Sequence, residues 1–205
     1  MNVRIALAAL VLSIAGCATG PSRPPMTEGA YPGTLADSST LPNGLFLRQR
    51  IDARFGERTM SFSAVLQVDG GKLSLLALTP YGTRAFLIEQ IGQDIRFTPY
   101  VDRELPFPPR FILIDVHRAV FFRLGEPAPA SDGERTFEHE GERITERWRA
   151  GKLLERRFER LDHEPKGVLR VRYGQGYGPS EIAENLEIDN AWFGYELSIR
   201  TLADD

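Results

Sequence analysis

With a single cysteine, Cys17, the chain cannot form an intramolecular disulfide, so its fold must be held by its core alone. It has no apolar run of the roughly 20 residues that a membrane-spanning helix needs; the run IALAALVLSIAG, residues 5–16, is too short. An excess of charge of one sign is also missing. The chain has 25 basic and 28 acidic side chains, a net charge of −3 that argues against a nucleic-acid partner. No internal repeat recurs at a solenoid period, and 205 residues suffice for one domain with a sizeable core.

Catalytic and metal-binding patterns are equally scarce. There is no GxSxG elbow, and Ser180, in GPSEI, has no assignable base. The glycines of GQGYG, residues 174–178, lack the lysine and the strand-to-helix setting of a phosphate loop, so the stretch reads as a turn or bulge. His117, two residues after Asp115 on an otherwise apolar segment, reads as a polar-face or cap contact, and His163 as a loop residue. Glu138, His139 and Glu140 have metal-compatible chemistry, but neighbours on a strand point to alternate faces and cannot chelate together. The expectation is a protein that is not an enzyme and holds neither metal nor cofactor.

The N-terminus carries an address. A short start with one basic residue, Arg4, precedes the apolar run, and this is the layout of a secretory signal over 1–16. Ile14, Ala15, Gly16 and Cys17 resemble the lipobox of bacterial lipoproteins, which implies a signal peptide cleaved before Cys17 and acyl chains on its thiol. Several acyl chains anchor stably where one is marginal. Ala18 is not the aspartate that signals inner-membrane retention in enterobacterial lipoproteins. The resemblance therefore implies the outer membrane of a Gram-negative bacterium, with the domain facing the periplasm. From 17 to 43, Pro21, Pro24, Pro25, Pro32 and Pro42 with few large apolar residues predict a flexible tether.

From Gly44 to the end, one β-rich domain is expected. In RTMSFSAVLQVD, Met60, Phe62, Ala64, Leu66 and Val68 share one face. Asp69, Gly70 and Gly71 make a hairpin turn, KLSLLALTP returns, PYGT turns again with type II chemistry, and RAFLIEQIG and DIRFTPY follow. The middle strands are apolar on both faces, which predicts a cover on each side or a ligand on one. FPPRFILIDVHRAVFFRLG, residues 107–125, predicts an enclosed apolar helix with Pro108 and Pro109 at its start and Gly125 as its cap. ERITERWRAGKLLERRFERL reads as a hairpin at Ala150 and Gly151 with exposed Glu and Arg pairs, and two further strands close the domain.

The stretch from SFSAVLQVDGGKL to DIRF, followed by LPFPPRFILIDVHRAVFF, resembles an uncharacterised bacterial outer-membrane lipoprotein family, the domain of unknown function 3261. Its strand pattern is similar to that of the lipoprotein carrier and receptor LolA and LolB. The resemblance implies a mainly β fold, a curved antiparallel sheet forming an open half-barrel, with a helical lid over an apolar cavity that accepts acyl chains. Phe62, Leu66, Leu75, Phe86, Ile88, Phe111, Ile114, Phe121 and Trp192 are the expected cavity wall. The receptor-like member carries an exposed apolar side chain on a protruding loop, and Tyr81 is the candidate for it here. The expected partners are a membrane, through the lipid anchor, and an acyl chain, lipoprotein or polyene lipid, bound by a monomer. The same apolar residues also fit a plain core, in which case the domain would be a ligand-free interaction module.

Overall fold

The computed structural model describes residues 31–102, 105, 107–178 and 181–203. The expected signal peptide, Cys17 and the first part of the tether lie outside the described residues, as does Ser180. Eleven strands form one open antiparallel sheet: β1 (Leu45–Phe55), β2 (Arg58–Asp69), β3 (Lys72–Leu78), β4 (Arg84–Ile91), β5 (Asp94–Pro99), β6 (Gly133–His139), β7 (Glu142–Arg149), β8 (Lys152–Arg160), β9 (Val168–Tyr177), β10 (Asn185–Asn190) and β11 (Tyr195–Leu202). Their order across the sheet is β5-β4-β3-β2-β1-β11-β10-β9-β8-β7-β6. Two meanders are thus joined where β1 pairs with β11, Ile51 opposite Ile199. This places β5 and β6, consecutive in the chain, at opposite edges. The chain between them must cross the sheet, and it does so as the helix.

That helix comprises α1 (Pro109–Val116), continued by a π-helical stretch over His117–Phe121. Pro109 occupies the first turn, where its missing N–H costs nothing. The helix was expected to run on to Gly125, but it ends at Phe121. Phe122 turns to extended backbone, and the buried Arg156 takes up the free carbonyls, with Nη1 donating to Phe122 O at 3.0 Å and Arg118 O at 3.4 Å. Arg156 is itself held by Glu146, whose Oε1 accepts from Nε at 2.9 Å and Nη2 at 2.7 Å.

Alternation along the strands sets the two faces. On the inner face, Leu66, Leu75, Ile88 and Phe97 form one row across β2 to β5. The outer row Val65, Leu76 and Leu87 is only half-buried, so the helix covers one apolar face of the middle strands and leaves the other. Of the exposed Glu and Arg pairs expected on the β7–β8 hairpin, Arg143 meets Glu159 at 3.9 Å and Arg147 meets Glu155 at 3.8 Å, but Arg156 and Glu146 are buried on the inner face under the end of the helix. In GQGYG the register between β8 and β9 slips, and Gly176 has a φ of +73° with Leu154 Cδ2 2.8 Å from where a Cβ would stand. That is a bulge only glycine fits. The PYGT turn also differs from expectation. Gly82 N donates to Thr79 O at 2.9 Å, and the positive φ falls on Gly82 and not on Tyr81, which is a type I turn followed by a left-handed glycine.

Part of the predicted tether is structure. Tyr31, Leu35 and Ser38 are buried. A segment with few large apolar groups is ordered here because core side chains satisfy its backbone. Arg118 Nη2 donates to Pro32 O at 2.7 Å and Gln90 Nε2 to Ala36 O at 2.7 Å, and a backbone bond from Ser38 N to Gly92 O at 3.0 Å adds to them. Sequence composition counts apolar surface and misses such bonds.

Candidate ligand cavity

Between the inner face of the sheet and the helix lies a cavity of about 400 Å³, partly open to solvent. This is in the range of small-molecule sites, about 300–1,000 Å³. Its wall comes from β1 to β4, β10 and β11, and its roof from one helix face, Ile112, Asp115, Val116, Ala119 and Val120. Those positions recur at three and four residues, the spacing of one helical stripe. The rim holds the exposed groups: Thr59, Pro80 and Val101. Phe107 stacks on Tyr195 with ring centroids 5.1 Å apart and closes that side against Phe55 at 5.7 Å. Tyr81, at the tip of the β3–β4 turn next to Pro80, is 93 % exposed.

Of the expected wall residues, Phe62, Leu66, Leu75 and Phe86 line the cavity. Ile88, Phe111, Ile114, Phe121 and Trp192 do not line it and belong to the packed core. Phe111 stacks on Tyr31 at 4.4 Å, and the edge of Phe121 meets His117 at 5.6 Å. Trp192 lies under the Arg118 guanidinium at 5.0 Å and donates from Nε1 to Gly167 O at 3.0 Å. For Phe111, Ile114 and Phe121 the physical reason is phase; Ile88 shares the inner face with Leu75 but is packed over, and Trp192 lies in the turn between β10 and β11. On a helix apolar nearly all round, composition does not tell which stripe faces the void. Among the residues missed were Gln49, Ile51, Ala53 and Phe55 on β1 and Tyr195, Leu197 and Ile199 on β11. Their period-two alternation was the available signal.

Three polar side chains interrupt the apolar lining in the interior: Gln49, Asp115 and Tyr195. Asp115 is fully engaged. Its Oδ1 accepts from the Tyr31 hydroxyl and, at 3.4 Å, from Arg118 Nη1; its Oδ2 accepts from the Tyr195 hydroxyl and, at 3.4 Å, from Asn190 Nδ2. Burial pushes the carboxyl up to about 6, against the pull of Arg118 and the hydrogen bonds. Burial likewise lowers His117 to about 4, and its Nε2 sits 2.8 Å from Gln90 Oε1. Arg118 also pairs with Glu142, whose carboxyl burial raises despite that cation. The polar network therefore ties helix, sheet and the 31–38 segment together at the side of the cavity.

The arrangement defines a class: an open antiparallel half-barrel with a helix over an apolar cavity. The chain belongs to the family described as protein of unknown function (DUF3261), which matches residues 47–203. No curated protein matches it. Two solved structures are similar at low identity. One is a domain described as an outer membrane lipoprotein-sorting protein from Vibrio parahaemolyticus, 11% identical, covering 77% of this chain and 83% of that one, with a TM-score of 0.37. The other is a DUF1329 family protein from Desulfovibrio piger, 10% identical, covering 77% and 82%, with a TM-score of 0.36. Among the described residues no helix is long and apolar enough to cross a membrane, and no three metal-ligating side chains cluster.

Proposed function

We propose that this protein is an outer-membrane-anchored lipoprotein that carries or receives an acyl or polyene chain in its cavity, facing the periplasm and without catalysis of its own. The observation that carries the reading is the void itself. Core side chains pack to crystal-like density and leave few spaces larger than a water, so an apolar space of about 400 Å³ that opens at one rim is a site for an apolar guest. Burial of such a guest contributes about 0.8 kcal/mol per CH₂, enough for carriage with little polar recognition. Cys17 supplies the anchor in this reading, and Tyr81, exposed beside the rim, would be the side chain that meets a membrane or a donor. Extraction of lipid from protein purified from its own envelope, identified by mass spectrometry, tests it. A recurring chain-bearing lipid is expected. Repeated recovery of empty protein would turn the reading to an interaction module docking through its half-buried outer row.

A further inference from the structure

Gln49 is the polar group of the cavity lining that the fold leaves incompletely paired. It is 5 % exposed, and on β1 it shares the inner face with its cross-strand neighbours Ala64 and Thr201. Its Nε2 makes one bond, to Thr201 Oγ1 at 3.5 Å, the outer limit of a hydrogen bond, and among the described residues its Oε1 accepts none. The contrast with Asp115, whose oxygens meet four donors, is sharp. Gln49 Oε1 is not sealed off but open to the cavity, so it takes its partner from whatever fills that space, water or a guest.

Its place in the cavity narrows what that partner is. On β1 the lining ends at Gln49, whose cross-strand row Ala64, Ala77 and Phe86 is followed on the sheet, going away from the rim at Pro80, only by Leu66 and Leu75. A chain entering at the rim therefore reaches Gln49 with its inner end. A hydroxyl both donates to Oε1 and accepts from Nε2, and it pairs whichever way round the amide is set. A carboxylate could only accept and an ammonium could only donate.

We propose that Gln49 selects a chain whose inner end carries a hydroxyl. This rests on the chain-binding reading above and adds a specificity residue to it. The test is direct binding of palmitate and ω-hydroxypalmitate to the full chain carrying Cys17→Ser, so that no covalent acyl group competes for the cavity, and to the same protein with Gln49→Leu. The hydroxylated chain is expected to bind roughly fivefold to tenfold tighter than palmitate, one ordinary hydrogen bond's difference. In Gln49→Leu that preference should vanish while palmitate binds as well or better. Equal binding of the two probes by the Cys17→Ser protein, or a preference that survives Gln49→Leu, would overturn the inference and leave chain binding standing. Binding of neither probe would overturn both.

Discussion

Arg118 Nη2 donates to the carbonyl of Pro32 at 2.7 Å, joining the helix over the sheet to the segment that leads in from the N-terminus. The same guanidinium pairs with Glu142 and Asp115 and lies over Trp192, Phe158 and Tyr31. Arg118→Met should therefore leave Glu142 and the Pro32 carbonyl without this donor and Asp115 without its neighbouring cation. A loss of about 3–5 kcal/mol is expected, the usual cost of breaking a buried pair from one side. Urea unfolding followed by circular dichroism measures it, and a change under 1 kcal/mol would contradict the central role given to this cation.

Gly33 has a φ of +91°, and a Cβ built there would stand 2.4 Å from Arg118 Nη2. Gly33→Ala meets both a left-handed backbone and that clash, whereas Gly44→Ala, with a φ of +80° and open space around it, meets the backbone penalty alone. Melting temperature should drop clearly more for the first. Equal drops would mean that the 31–38 segment yields easily.

Asp115 and His117 should bend the stability–pH curve in opposite senses. Asp115 rises from 3.8 to about 6 on folding, so between those values the native state holds the extra proton, and stability falls as pH rises. His117 drops from 6.5 to about 4, so over nearly the same window the unfolded state holds the extra proton, and stability rises with pH. Their contributions largely cancel between pH 4 and 6. Asp115→Asn should therefore make stability fall more steeply on acidification, and His117→Gln should do the reverse, each slope approaching at most about 1.4 kcal/mol per pH unit. Unfolding free energies at several pH values for the three proteins check it; parallel curves would refute the assignment.

Phe121 and Phe62 are both aromatic and were both expected at the cavity, yet only Phe62 lines it, while Phe121 is closed in the core. Phe121→Ala should cost about 3–5 kcal/mol of stability. Phe62→Ala, half-buried against existing empty space, should cost less and act on chain binding instead.

The fold was legible where alternation was clean. Met60 to Val68, the Asp69–Gly71 turn and the Pro109 start of the helix stand where the pattern puts them. The site was legible by half. Leu66 and Leu75 face the void because strand phase is fixed by the hairpins, whereas Phe111 and Ile114 face away because an apolar helix has no visible phase. On β1 the alternation of Ile51, Ala53 and Phe55 with charged neighbours was there to be read, and Gln49, set between Arg48 and Arg50, concealed only its own polar place in the wall. Tyr31 and Leu35 were hidden by the prolines and glycines around them, since hydrogen bonds from Arg118 and Gln90 to a backbone leave no mark in composition.

The central claim is that the space under the helix holds a chain. Ala64 lines it from β2 and is buried, so Ala64→Phe puts a ring where a guest would lie. Titration of the full chain carrying Cys17→Ser with a fluorescent fatty-acid analogue, with and without Ala64→Phe and with circular dichroism to confirm that both are folded, compares the two directly. The account predicts saturable binding that the ring abolishes or weakens at least tenfold, about 1.4 kcal/mol. Binding that is unchanged by the ring, or absent from the folded Cys17→Ser protein, would contradict it.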